Sequence, residues 1–215
     1  MAYVLGYFAT DGAMYVNSHG ARYIGFTSTE RVLLEHIRNL LRAEHKIALK
    51  KRNRTNPTWK PIYQLQIGGG ELFEQLARLG FTPNKDQSLI FPEILADCLG
   101  SFVRGYFDGD GCISFGWYQQ PDRKGESLFI QAQFSSGSSR FLRSMDLAIQ
   151  AATGMAPGYL NERKVEGNYL CYQRRKDLPV LYDLMYPANL PPEVYLARKR
   201  AHFQKALAVW RSLGA

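Results

Sequence analysis

Two stretches of this chain repeat one another: GYFATDGA begins at Gly6, and GYFDGDGC begins 99 residues later at Gly105. Gly, Tyr, Phe, Asp and Gly recur at the same offsets, while Ala9 and Thr10 give way to Asp108 and Gly109. In a chain of 215 residues this spacing leaves room for two copies of one supersecondary unit. With 46% hydrophobic and 13% aromatic residues, the chain can bury a core, as one domain or as two halves sharing an interface.

The residues between the motifs carry the same repeat. After the first motif, Ala13 to Ser18 and Ala21 to Thr27 read as strands around His19-Gly20, and Glu30 to Ala43 places Leu33, Leu34, Ile37, Leu40 and Leu41 on one helical face. Thr27 and Glu30 have capping-box spacing. Lys46 to Asn53 and Ile62 to Ile67 alternate apolar and polar residues, and Gly70 to Leu79 closes the unit as a short helix. The second half runs through strands Cys112 to Tyr118 and Ser127 to Phe134, then a helix with Phe141, Leu142, Met145, Ala148 and Ile149 on one face. Strands Gly158 to Val165 and Tyr169 to Arg174, a helix from Leu178 and a basic amphipathic helix over Pro192 to Arg211 complete it. The expected fold class is α+β, with repeats at 1–84 and 98–215 joined by a connector at 85–97.

Each motif follows an apolar helical stretch, Tyr3 to Phe8 or Ile94 to Phe107, and ends in Asp-Gly. Alone, Asp-Gly means only a turn. Gly6 with Thr10, and Gly105 with Gly109, have the small-x-x-x-small spacing that lets two helix backbones approach, which makes Gly6 and Gly105 candidate interface residues. Helices packed in that way bring Asp11 and Asp110 side by side at their C-terminal ends. That position is electrostatically poor, because helix C-termini carry partial negative charge and a second carboxylate repels the first. A divalent cation removes the objection, and hard oxygen ligands suit magnesium. Paired carboxylates of this kind serve metal-assisted phosphodiester hydrolysis, and two symmetric sites address two strands. A calcium-loop reading of Asp108 to Ile113 fails, since Cys112 and Ile113 stand where a ligand and a glycine are required.

Charge supports a polyanionic partner. Lys and Arg number 27 against 19 Asp and Glu, a net +8, and Lys46 to Lys60 holds six basic residues and no acid. A charge run by itself also fits a solvated loop. Cys98, Cys112 and Cys171 lack zinc or disulfide spacing and are read as reduced thiols. With no apolar run near eighteen residues and no signal-peptide pattern, the expected location is intracellular and cytoplasmic.

The stretches Val4-Leu-Gly-Tyr-Phe-Ala-Thr-Asp-Gly-Ala and Val103-Arg-Gly-Tyr-Phe-Asp-Gly-Asp-Gly-Cys resemble the motifs of the LAGLIDADG homing endonuclease family in its single-chain, two-motif form. The resemblance extends over nearly the whole chain. It implies a pseudo-twofold αββαββα pair, with motif helices at the interface and two curved antiparallel sheets forming a saddle over double-stranded DNA. It implies a monomer that cuts both strands of a long target and leaves 3′ overhangs. The implied cofactor is magnesium, with manganese as its substitute and calcium binding without supporting cleavage. By motif position, the catalytic and metal-binding acids are Asp11 and Asp110. One departure is Ala9, where the other motif has Asp108. Another is that the basic residue many members place after the fourth strand falls on Gly68-Gly-Gly in the first half, whereas the second offers Arg174, Arg175 and Lys176, so unequal cutting of the two strands is expected.

Strand alternation selects the candidate DNA face: Tyr15, Asn17, His19, Lys50, Arg52, Gln64 and Gln66 in the first half, and Ser114, Tyr118, Gln131, Gln133 and Arg163 in the second; the resemblance adds Arg174 and Arg175 after the last strand. Gln can bond adenine, Arg guanine, and Lys commonly phosphate. Ser28 and Ser136, where second strands meet helices, suit either a place near the reactive water or helix capping. Three rivals to the nuclease reading stand open: a regulator of the same fold that binds DNA without cutting it, an intron RNA maturase, and a basic scaffold in which the glycines only pack helices. The splicing residues expected of an intein are not found.

Overall fold

The structure is a computed structural model that describes residues 1–50, 56, 58–83, 88–119, 125–162 and 167–212. Its first repeat runs α1 (Ala2–Asp11), β1 (Gly12–Val16), β2 (Arg22–Ser28), α2 (Arg31–Leu40), β3 (Ile47–Leu49), β4 (Tyr63–Gly68) and α3 (Gly70–Arg78). The second runs α4 (Ala96–Asp110), β5 (Gly111–Gln119), β6 (Glu126–Ser136), α5 (Ser139–Thr153), β7 (Tyr159–Asn161), β8 (Asn168–Tyr172) and α6 (Asp177–Met185). A 3-10 turn (Pro192–Val194) and α7 (Ala197–Arg211) follow. The sheets have matching orders, β1-β2-β4-β3 and β5-β6-β8-β7, and every neighbouring pair is antiparallel. The α+β architecture expected from the repeat is therefore present twice.

Alternation along the strands decides which face is covered. Ile24 and Phe26 of β2 pair with Ile67 and Leu65 of β4, and all four are buried with Leu33, Leu34 and Ile37 of α2. In the second repeat Ile130, Ala132, Phe134 and Leu170 are buried with Phe141, Leu142, Met145 and Ile149 of α5. The connector is not a loose tether, because Phe91 packs its ring against Phe102 at 5.3 Å and Phe141 at 5.5 Å.

The two repeats meet through glycine. A Cβ on Gly6 would lie 2.0 Å from the Phe102 carbonyl oxygen, and one on Gly105 would lie 2.0 Å from that of Tyr3. Tyr3 and Phe102 stand 99 residues apart, as do Gly6 and Gly105, so the two contacts are one contact seen twice across a pseudo-twofold axis. Thr10 and Gly109 are also equivalent by this spacing, and here they meet each other: a Cβ on Gly109 would overlap the Thr10 Oγ1 at 1.9 Å. The difference between the motifs at this position is thus a fitted pair, one residue filling the space the other leaves.

Some boundaries differ from the sequence expectations. The capping box of Thr27 and Glu30 does not form, because Thr27 belongs to β2 and α2 begins only at Arg31, with Glu30 as an N-cap that makes no side-chain cap bond. The segment expected as one helix from Pro192 to Arg211 breaks after Val194. Tyr195 and Leu196 are extended there, the Leu196 amide donates to the Asp108 carboxylate, and α7 starts at Ala197. Strand β3 is short, and its expected extension past Lys50 falls largely on residues outside the described ones.

Gly109→Ala should lower the unfolding free energy by roughly 1–3 kcal/mol, as an overpacked contact does. Adding Thr10→Gly removes the opposing side chain. The two substitutions should therefore be non-additive in a denaturation double-mutant cycle, and strict additivity would show that the pair is not in contact.

Candidate nucleic-acid interface and acid centre

Asp11 and Asp110 are the last residues of α1 and α4, and both are exposed. The glycines that follow have extended backbones that any residue can adopt, with φ −82° at Gly12 and −88° at Gly111. Space is what requires glycine here. A Cβ would lie 2.2 Å from the Phe8 ring in one repeat and 2.3 Å from the Phe107 ring in the other. The Asp-Gly pair therefore marks a place where a helix runs straight into a strand over an aromatic ring, and each carboxylate projects from that junction.

Tyrosines bolt each junction to its sheet. Tyr7 Oη donates to the Thr27 carbonyl at 2.6 Å, and its equivalent Tyr106 Oη donates to the Ser135 carbonyl at 2.6 Å. Burial raises both phenols well above their ordinary value, and each also feels the charge of both Asp11 and Asp110. The two carboxylates thus share one neighbourhood. Ser28 Oγ accepts from the Glu30 amide at 3.0 Å and Ser136 Oγ from the Ser138 amide at 3.1 Å, so both serines turn the chain from strand to helix.

Around this symmetric frame the two sides differ. Where the first motif has Ala9, the second has Asp108, only 3% exposed, whose Oδ2 accepts from Tyr3 Oη at 2.8 Å and from the Leu196 amide at 2.8 Å. Beside it, the buried Lys199 Nζ donates to the carbonyls of Phe107 at 2.6 Å, Gly109 at 3.0 Å and Gly111 at 2.8 Å. An ammonium at the C-terminus of α4 satisfies carbonyls that the helix leaves open and opposes its dipole. Burial lowers the Lys199 pKa, and the charge of Asp108 works against that. Neighbouring Arg198 reaches the other repeat instead, its Nε donating to Glu30 at 2.6 Å. Beside Arg198 lies a cavity of about 290 Å³ also lined by Asp11, Tyr7, Ser28, Glu30, Asp108 and Gly109 among others. Neither Lys199 nor Arg198 was foreseeable from the basic pattern of the last helix.

The donor chemistry fits a hard divalent cation. Among the described residues there is no cluster of three or more His, Cys, Asp or Glu side chains that could hold a metal alone. Magnesium does not need one, since it keeps several waters and takes one or two carboxylates together with substrate phosphates. Two exposed carboxylates at adjoining helix ends match that habit.

Register places the face selected from sequence. Tyr15 pairs with Tyr23, Gln66 with Gly25 and Gln64 with Thr27, all on the sheet surface opposite the buried Ile24 and Phe26. Lys50 is exposed and its amide bonds the Ile62 carbonyl at 2.8 Å, which continues β3 on the same surface. In the second sheet Ser114 pairs with Gln131 and Cys112 with Gln133, opposite the buried Ile113 and Ala132. Gln173 donates to Gln131 at 2.7 Å and Gln131 to Gln133 at 2.9 Å, a row of linked amides in which Gln173 was not foreseen. Asn17 is drawn into its own turn, its Oδ1 accepting from the amides of His19 at 3.0 Å and Ala21 at 2.9 Å. His19 is exposed in that turn. Arg174 turns away from the row, bonding the Pro157 carbonyl at 3.4 Å and pairing with Asp177 at 3.9 Å, whereas Arg175 lies beside Tyr118, Gln131 and Gln173. Arg52 and Arg163 lie outside the described residues.

Residues 1–79 match the model of a LAGLIDADG-like domain. No curated protein matches the chain. Among solved structures, the LAGLIDADG meganuclease I-AabMI bound to uncleaved DNA has 14% identity and a TM-score of 0.65, with 99% of this chain and 90% of that one covered. The I-LtrWI LAGLIDADG homing endonuclease bound to target DNA has 13% identity and a TM-score of 0.63, covering 98% and 90%. The meganuclease I-SmaMI bound to uncleavable DNA has 12% identity and a TM-score of 0.63, covering 96% and 88%. At these identities it is the fold that is shared. No helix among the described residues is long and apolar enough to cross a membrane.

Burial pushes the Asp108 carboxyl up from 3.8 to about 6, against the pull of its hydrogen bonds and of Lys199 and Arg104. The folded chain therefore binds this proton more tightly than the unfolded chain does. The penalty for ionising it is absent below about pH 4 and complete above about pH 6, so stability falls as pH rises through that window. Relative to Asp108→Asn, the metal-free wild-type chain should lose at most about 1.4 kcal/mol per pH unit across it, measured by urea unfolding at several pH values. A pH-independent difference would mean that Asp108 titrates as a free carboxylate.

Proposed function

We propose that this chain, whose first repeat carries a LAGLIDADG-like domain and whose fold is that of LAGLIDADG endonucleases, is a site-specific DNA endonuclease. It hydrolyses both strands of a long duplex and leaves 3′ overhangs. The observation that carries this reading is the pair of exposed carboxylates, Asp11 and Asp110, ending two helices that cross at a pseudo-twofold axis. That symmetry matches two antiparallel strands. A fold that only needed to pack its helices would gain nothing from an acid at each negative helix end.

Asp11 and Asp110 would hold magnesium, or manganese in its place, while calcium would bind without supporting cleavage. An ion held there would supply Lewis acidity, lowering the pKa of a water and offsetting negative charge at the phosphate. The chain's own contribution is position. Glycine contacts between α1 and α4 fix the separation of the two acids, and Tyr7 and Tyr106 hold each helix end to its sheet. Outer-face side chains carry the duplex: Gln64, Gln66, Gln131 and Gln133 suit base edges, and Lys50 and Arg175 suit phosphate or guanine. With Lys199 beside Asp110, and glycine at positions 68–70 where the second half has Arg175, the two strands are cut at unequal rates.

Incubation with a randomised double-stranded library and Mg²⁺, followed by sequencing of cut ends, tests the reading. Specific, salt-sensitive binding without cutting would return the non-cleaving regulator or maturase in its place. Asp110→Asn should abolish double-strand cleavage and leave DNA affinity within a few-fold, and cleavage that continues would refute the assignment of the acid. Lys50→Ala should weaken binding on many sequences alike and reduce the salt slope by about one counterion, read from titrations at several salt concentrations.

A further inference from the structure

The outer face of the second sheet changes character along its length. Near Asp110 it is polar, with Ser114, Gln131 and Gln133 in register, but the next pair outward is Gly116 with Phe129, and the pair after that Tyr118 with Ser127. Phe129 is 41% and Tyr118 43% exposed, and their rings meet edge to face at 6.1 Å. A Cβ on Gly116 would come within 3.2 Å of Phe129 Cε1, so the phenyl ring lies across the glycine instead of standing clear of the sheet. With Leu128, Ile130, Gln131, Gln173 and Arg175 these rings line a groove of about 540 Å³. The first sheet ends differently: its hairpin turns after Val16, and its outer-face rings, Tyr15 and Tyr23, are half-buried and stacked at 5.6 Å, whereas β5 continues to Gln119.

We propose that this aromatic end is a specificity element that reads thymine through its C5-methyl group. The proposal rests on the duplex-DNA reading above. Two exposed aromatic rings in contact on an otherwise polar face form an apolar patch, the kind of surface that marks a binding site. Along the major groove, the base edges offer hydrogen-bonding groups and a single kind of apolar group, the thymine methyl, which Phe is suited to contact. The rim agrees with that partner, because Arg175 meets phosphate or guanine and the Gln131 and Gln173 amides meet neighbouring base edges. The rings are also continuous with the polar face of Ser114, Gln131 and Gln133, so a duplex seated on that face reaches them. Gly116 stands six residues beyond Asp110, roughly 20 Å at about 3.4 Å per residue. At about 3.4 Å per base pair, the thymines read here lie roughly six pairs out from the acid centre.

The test begins with duplexes recovered by the wild-type chain from a randomised library, in the presence of Ca²⁺. Thymine should be enriched in one arm only, roughly six pairs from the centre. Those duplexes are then resynthesised with deoxyuridine in place of thymidine at the enriched positions, a change that removes only the methyl. Each replacement should weaken wild-type binding about fourfold, as expected for one buried methyl. It should have no effect on Phe129→Ala, and an intermediate effect on Phe129→Leu, which keeps an apolar side chain; all three proteins should have the same unfolding midpoint. Equal wild-type affinity for thymidine and deoxyuridine duplexes would overturn the proposal, as would a thymine preference that survives Phe129→Ala or an absence of enriched thymine in either arm. Failure to recover any specific duplex would instead remove the DNA reading beneath it.

Discussion

Everything in this molecule hangs from one close contact, the approach of two helix backbones at Gly6 and Gly105. Because each glycine lies against a carbonyl oxygen of the other helix, even one added carbon would push the helices apart. The separation of the acid-bearing helix ends is therefore set by backbone against backbone, with no flexible side chain between to absorb error. Tyr7 and Tyr106 then transmit that geometry to the sheets through buried hydroxyls. Stiffness of this kind holds paired groups at one separation, and small misplacements of reacting groups are costly.

The symmetry is real at the axis and is lost with distance from it. Asp108, Lys199 and Arg104 form a buried polar network on one side only. Arg104 donates to the carbonyls of Met185 at 2.6 Å and Val194 at 2.8 Å, which anchors the segment leading into α7. The same segment sends Lys199 to the second repeat and Arg198 to the first, so it stitches the two halves together near the acids. Buried charges of this kind are better suited to fixing one arrangement than to adding stability, because desolvation offsets most of their attraction.

Much of this was legible in the sequence, and the reasons are physical. Duplicated motifs declared a duplicated fold, and the period of two in Tyr63 to Ile67 told which side of the sheet would be covered. Small-residue spacing indicated the helix contact, although Thr10 and Gly109 looked like tolerated variation until the structure set them against each other. What stayed hidden depended on long-range placement. Nothing in the string ARKRAHFQ distinguishes Lys199, which is buried on carbonyls far back in the chain, from its solvated neighbours. Asn17 has the residue type of a base reader, yet a local turn uses its carbonyl. Arg174 and Arg175 are adjacent and alike, and only their positions on opposite sides of the chain beyond β8 separate a structural role from an outward one.

The pairing of Thr10 with Gly109 also closes off a path of descent. A duplicated half-molecule implies an ancestor in which two identical copies met across a true twofold axis. Two copies of the present first repeat would set threonine against threonine where a single added carbon already overlaps Oγ1, and two copies of the second would set glycine against glycine and leave that space empty. The first half can no longer partner itself in the present geometry, and the second would do so only around a void. Each has become the complement of the other, and the chain has gained the freedom to treat the two sides of an asymmetric ligand differently.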